Sequence, residues 1–160
     1  TVTDYVEIIE RKTASLFAAG GRTAAHLAGA PAGLIEAMAA CGRHIGLAFQ
    51  VSDDLLDVVG QPSVTGKPRG IDLRDGNPSL PIVLALQTDP ELKRLFARRP
   101  TPDEIEAGLA QIGRTGVLGA VAAEADSHVR SALDALARLP ASPYRTALDG
   151  LTRGLTERPA

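Results

Sequence analysis

Tryptophan is absent from this chain, and only two tyrosines and three phenylalanines stand among its 160 residues. A nucleic-acid surface, in which aromatics interleave with basic side chains, has no material here. Positive charge is not in excess either: 17 Lys and Arg face 19 Asp and Glu, for a net charge of −2. Nucleic acid is therefore not an expected partner. The single cysteine, Cys41, excludes an intramolecular disulfide and suits a reducing compartment such as the cytoplasm. No apolar run approaches the ~18 residues of a membrane-spanning helix. Alternation of the β type is missing, as are internal repeats and low-complexity tracts.

Helical periodicity is what remains, and the length fits one all-α domain. Tyr5 to Phe17 reads as a helix, capped near Thr3 and Asp4. Pro31 opens a second helix through Leu34, Ile35, Met38, Cys41 and Ile45. On it Gly42 and Gly46, four apart, permit close approach by a neighbour. A third helix starts near Pro81. Thr101-Pro102-Asp103-Glu104 has the capping-box pattern. Val117 to Leu139 is periodic, and Ser142-Pro143 opens a last helix. Leu92 to Thr101, with Lys93, Arg94, Arg98 and Arg99, reads as a polar basic connector.

The second helix carries an unusual stripe. Gln50, Asp53, Asp54 and Asp57 fall within roughly 100° of arc on an α-helix, and the rest of its circumference is largely apolar (Leu47, Phe49, Val51, Leu55, Leu56, Val58). A solvated helix shows the reverse, an apolar stripe on a polar cylinder. Carboxylates at i, i+1 and i+4 repel one another, the more so where water is excluded. A cation among them relieves this. Oxygen donors without a companion His or Cys suit Mg²⁺, or Mn²⁺. Mg²⁺ keeps waters and bridges carboxylates to substrate phosphate, so cationic side chains should appear elsewhere.

They do. The stretch from Gln61 to Gly70 is a loop by composition, with two prolines and two glycines, and it delivers Lys67 and Arg69. A second loop, Asp72 to Ser79, precedes the helix at Pro81. Upstream, Lys12 lies in one column with Ile8 and Leu16. A lysine so placed either snorkels to water or meets an anion. Arg43 either pairs with a carboxylate or contacts a neighbouring helix, and His26, His44 and His128 form no ligand pattern.

Lys12-Thr13, Phe49-Gln50 with Asp53-Asp54-x-x-Asp57, Thr65-Gly66-Lys67, Gly70-x-Asp72-Leu73 and Ser79-Leu80-Pro81 resemble, in order and spacing, the C-terminal half of a trans-polyprenyl diphosphate synthase. The resemblance covers Tyr5 to about Leu86. It implies the C-terminal half of an isoprenoid-synthase-type helical bundle. It also implies condensation of an allylic diphosphate with isopentenyl diphosphate, assisted by Mg²⁺. Asp53, Asp54 and Asp57 would serve the metal, and Lys12 and Lys67 the diphosphate oxygens. Thr13 and Gln50 would turn oxygen dipoles toward the allylic cation, and Phe49 would flank the isoprenoid. Asn77 stands where many members carry lysine; it keeps hydrogen-bonding capacity and loses a charge.

The family uses two aspartate-rich motifs on facing helices, and no Asp-Asp-x-x-Asp precedes Asp53. The expectation is therefore half of a site, completed by a chain or segment carrying the first motif, in an enzyme of a usually homodimeric family. Two other readings compete. One is a non-catalytic subunit that binds a prenyl diphosphate or regulates a synthase, for which the acidic motif and Lys67 are superfluous. The other is a terpene cyclase of the same fold, whose second metal motif normally includes Asn and Ser or Thr.

Overall fold

The computed structural model describes residues 1–66, 68–98 and 100–157, and every regular element among them is helical. In chain order these are α1 (Val2–Ile9), a π-helical turn (Glu10–Ala14), α2 (Ser15–Leu27) and α3 (Ala32–Val59). Then come α4 (Pro62–Thr65), α5 (Ile71–Asp75), α6 (Leu80–Thr88), α7 (Pro90–Phe96), α8 (Pro102–Arg114), α9 (Val117–Leu136) and α10 (Pro143–Arg153). Local chemistry explains most of the boundaries. Thr101 and Glu104 form the expected reciprocal capping box at α8. The Ser142 hydroxyl accepts from the Arg145 N–H at 3.1 Å to cap α10.

Several segments differ from expectation. The two expected loops, Gln61 to Gly70 and Asp72 to Ser79, contain α4 and most of α5, and α1 already starts at Val2, ahead of the expected cap at Thr3. The segment expected as a connector, Leu92 to Thr101, is not merely one, because residues 92–96 belong to α7. The Asp89 carboxylate accepts from the N–H groups of Glu91 and Leu92, Pro90 supplies the first turn, and Leu92 is buried. The helix expected over Tyr5 to Phe17 is interrupted by the π turn, where the Ser15 N–H reaches back five residues to the Glu10 carbonyl. Ile8 and Leu16, the neighbours of Lys12 in its column, are exposed.

The chain forms two compact units. Among the described residues, one comprises Thr1–Tyr5 with Val51–Ala123, the other Val6–Gln50 with residues 124–157, and α3 and α9 contribute residues to both. The first unit is built on Val58, Leu73, Ile82, Ala85, Leu92, Leu109 and Ile112, which draw α3, α5, α6, α7 and α8 around one apolar centre. In the second, Cys41 of α3 packs with Ala132 and Leu136 of α9, and Met38, Ile45 and Leu148 close over them.

Within the second unit α2 and α3 approach closely. A methyl group added at Gly42 would stand 2.3 Å from the Phe17 carbonyl oxygen, and one at Gly46 would stand 2.7 Å from the Ala14 Cα. The closeness inferred from the Gly42–Gly46 spacing is thus realised against the π turn and the start of α2.

Candidate functional site

The three aspartates of α3 have separate environments. Asp54 is buried, and its carboxylate accepts from the backbone N–H of Leu80 at 3.1 Å, the first residue of α6. A negative charge there answers the N–H groups that a helix start leaves unpaired. Asp57 is half-buried and accepts from the N–H groups of Ile71 and Asp72, each at 3.0 Å, at the start of α5. Burial pushes its carboxyl above the usual carboxylate range; the two amide bonds pull the other way, and the charges of Asp72 and Asp54 add to the rise. Asp53 is half-buried and makes no hydrogen bond or ion pair among the described residues.

No group of three His, Cys, Asp or Glu side chains converges as a ready-made metal cage among the described residues. The donor set nonetheless fits a hard cation. Asp53 presents an oxygen donor with no partner among the described residues, and a Mg²⁺ ion ordinarily fills most of its shell with water and phosphate. Asp54 and Asp57 are committed to backbone amides and hold the segments that follow α3.

The other motif residues gather around the π turn. The Thr13 hydroxyl donates to Gln50 Oε1 at 3.0 Å, joining two side chains 37 positions apart. With its proton directed at Gln50, the Thr13 oxygen keeps its lone pairs for another electrophile. Glu10, at the head of the π turn, receives both Nε and Nη2 of Arg43 at 2.6 Å, a bidentate pair that answers the open question about Arg43. Phe49 lies against Phe17, with ring centroids 6.1 Å apart and planes tilted by 31°. Lys12 is exposed within the π turn, with no hydrogen bond or ion pair among the described residues.

Lys67 lies outside the described residues. Its neighbour Arg69 is held by Glu106 of α8 through a two-pronged ion pair. Gly70 follows with φ of +74°, a conformation that L side chains rarely adopt, and its N–H donates to the Asp57 carbonyl at 2.7 Å. Asn77 is exposed; its side-chain amide donates to Asp72 at 3.3 Å and its backbone N–H to the Asp72 carbonyl at 2.9 Å.

Sequence reasoning missed the π turn and the Glu10–Arg43 pair that anchors it. A signal for the turn was present. Tyr5 and Ile9 are buried four apart, yet the next buried residue is Ala14, five further on, while the α-helical positions Lys12 and Thr13 are polar. The extra residue is what a π turn inserts. The pairing of Arg43 had no comparable signal.

The polyprenyl synthetase family model matches residues 1–112. A (2E,6E)-farnesyl diphosphate synthase of Mycobacterium tuberculosis is 38% identical over 145 residues, which is 85% of this chain and 40% of that protein. The heptaprenyl diphosphate synthase component 2 of Geobacillus stearothermophilus is 36% identical over 153 residues, 94% of this chain and 47% of that one. A polyprenyl synthase from Caulobacter crescentus, solved with calcium and isoprenyl diphosphate, superposes with a TM-score of 0.92 at 36% identity, covering 100% of this chain and 51% of that one. The chain thus spans about half the length of the relatives it matches, or somewhat less.

Proposed function

The chain belongs to the polyprenyl synthetase family, and from that premise we propose that it supplies the second aspartate-rich half of a trans-prenyltransferase. The complete site joins an allylic diphosphate to isopentenyl diphosphate and requires a complementary half bearing the first aspartate-rich motif. The assembled enzyme is a cytoplasmic homodimer, for which the free, buried Cys41 is a compatible feature. No helix among the described residues is long and apolar enough to cross a membrane.

The observation that carries this reading is the Thr13–Gln50 hydrogen bond. It brings two of the family-like motifs together and leaves oxygen lone pairs oriented by a fixed partner. Loss of diphosphate from an allylic substrate leaves a carbocation, and oxygen dipoles aimed at the place where charge develops lower its energy without reorganising. Lys12 and Lys67 bind the diphosphate oxygens and hold the leaving group in place, and Asn77 adds hydrogen bonds to the same anion. Phe49 presents an apolar wall to the isoprenoid and helps to exclude water, which would trap the cation.

Asp53 would hold the divalent cation, Mg²⁺ by preference, with Asp54 and Asp57 acting on it through waters. When bound, such an ion supplies positive charge against the departing diphosphate. The backbone bonds of Asp54 and Asp57 fix the segments beyond α3, including the turn that carries Arg69 and Gly70.

The test is a steady-state assay of labelled isopentenyl diphosphate incorporation with an allylic primer. The 160-residue chain is assayed alone and co-expressed with the half of a family member that it does not match. Little turnover alone and Mg²⁺-dependent turnover together are expected. Robust turnover by the chain alone, as a verified monomer, overturns the half-site reading. Binding of prenyl diphosphate by the assembly without condensation would instead favour a regulatory subunit.

A further inference from the structure

We propose that Glu10 and Arg43 are positioning residues for the prenyl-transfer site: their ion pair keeps the π turn in register and so aims Lys12 and Thr13. The inference rests on the functional reading above. It names two residues outside the family-like motifs through which that site is held in shape.

α3 grips the π turn at three places along one face. Arg43, Gly46 and Gln50 follow one another at i, i+3 and i+7, which a helix stacks on one side. Arg43 donates from Nε and Nη2 to the two carboxylate oxygens of Glu10, each at 2.6 Å. Gly46 lets the backbone of Ala14 come close, since a methyl group there would stand 2.7 Å from the Ala14 Cα. Gln50 Oε1 accepts from the Thr13 hydroxyl at 3.0 Å. The first residue of the turn and its last two are thus each fixed to α3.

The turn needs such fixing. It holds one residue more than an α-helical path, and irregular backbone of this kind persists where its surroundings over-determine it. Were the turn to relax to α-helical bonding, the chain on one side would rotate by roughly 100° against the other. Ile9, just before the turn, and Ala14, at its end, are buried, whereas Lys12 is exposed between them. Where the extra residue is kept therefore sets the direction of Lys12, and Glu10 is the hold at the upstream end.

The pair itself is better suited to aiming than to stabilising. The Arg43 and Glu10 side chains are 43% and 31% exposed, and ion pairs open to water contribute little to folding. A two-pronged guanidinium–carboxylate contact adds geometric definition instead.

The test has two parts. In the 160-residue chain, amide hydrogen exchange is followed by NMR in the parent, Arg43→Gln and Glu10→Gln. Exchange of the Ser15 N–H, which closes the turn onto the Glu10 carbonyl, should quicken by at least about tenfold in both variants. Val129 and Ala132 of α9 should be unchanged. The second part measures turnover with the chain co-expressed with the half of a family member that it does not match. There kcat should fall by at least about tenfold in either variant. The charge exchange, Glu10→Arg with Arg43→Glu, should restore most of the loss. Arg43→Gln added to Thr13→Val should cost less than the product of the separate losses, because both act through one turn. Parent-like exchange at Ser15 overturns the proposal, as does parent-like kcat in both single variants. Losses that multiply, or an exchanged pair that folds without recovering turnover, overturn it too. A parent assembly that is inactive, in a chain whose Ser15 exchange still responds to both variants, supports the grip on the turn and removes the enzymatic reading instead.

Discussion

The carboxylate of Asp57 accepts from the backbone N–H groups of Ile71 and Asp72, each at 3.0 Å, and so ties the end of α3 to the start of α5. A residue expected to serve a metal therefore also holds up the segment that follows it. Replacing it by alanine leaves two amide donors short of acceptors. We expect Asp57→Ala to lower stability by about 2 kcal/mol, read as a shift in the urea midpoint at unchanged slope.

Asp53 should behave in the opposite way. It has no hydrogen bond or ion pair among the described residues to lose, so Asp53→Asn should alter stability by no more than about 0.5 kcal/mol. In the complemented assembly the same variant should abolish Mg²⁺-dependent turnover. Undiminished turnover would remove Asp53 from the metal site.

Thr13→Val keeps the shape of the side chain and deletes the hydroxyl that donates to Gln50. The cost in stability should be about 1 kcal/mol, the net worth of one hydrogen bond. If the hydroxyl oxygen also faces the allylic cation, kcat should fall by at least about tenfold, equivalent to ~1.4 kcal/mol of transition-state stabilisation. A stability loss with kcat unchanged would confine Thr13 to holding Gln50.

His44 of α3 and His128 of α9 face each other, with Nδ1 atoms 3.2 Å apart. Burial is the leading cause that pushes both imidazoles below the usual histidine range. The neighbouring guanidinium of Arg43 pushes the same way, the carboxylates of Glu10 and Glu124 oppose it, and His128 further lowers His44. The folded state thus binds fewer protons than the unfolded one. This contribution to stability is fully present above the unfolded histidine pKa of ~6.5 and is lost as pH falls through the lowered folded values. Urea midpoints should drop between pH 7.5 and pH 5 in the parent chain and drop less in His128→Gln.

Gly46→Ala tests the close packing at the π turn. Its new methyl group would stand 2.7 Å from the Ala14 Cα, a backbone atom that cannot rotate away. Overpacking should cost about 1–3 kcal/mol, measured by thermal unfolding. Gly20→Ala, in the same unit and facing open space, should cost nothing.

Much of the helical layout was legible because capping is local. Thr101 with Glu104, and Ser142 with the N–H of Arg145, need only residues three apart. The family motifs were legible for the same reason, as short patterns in a fixed order. The α7 start at Asp89-Pro90 was legible in principle but was masked by the basic residues after it. Lys93 and Arg94 read as solvated chain, although Leu92 anchors the helix.

The sequence by itself determined the helical class, the acidic stripe on α3, the close approach at Gly42 and Gly46, and the kinship of the motifs. These depend on spacing along one element, which a helix converts directly into a face. Only the tertiary structure decided that Asp54 and Asp57 are bound by amides while Asp53 is not, since those amides lie 26, 14 and 15 positions away. It also decided that Arg43 grips Glu10, and that Thr13 meets Gln50 through a turn with one residue more than an α-helix allows. Three aspartates in one run are chemically equivalent as letters; their environments differ because distant backbone groups arrive at two of them.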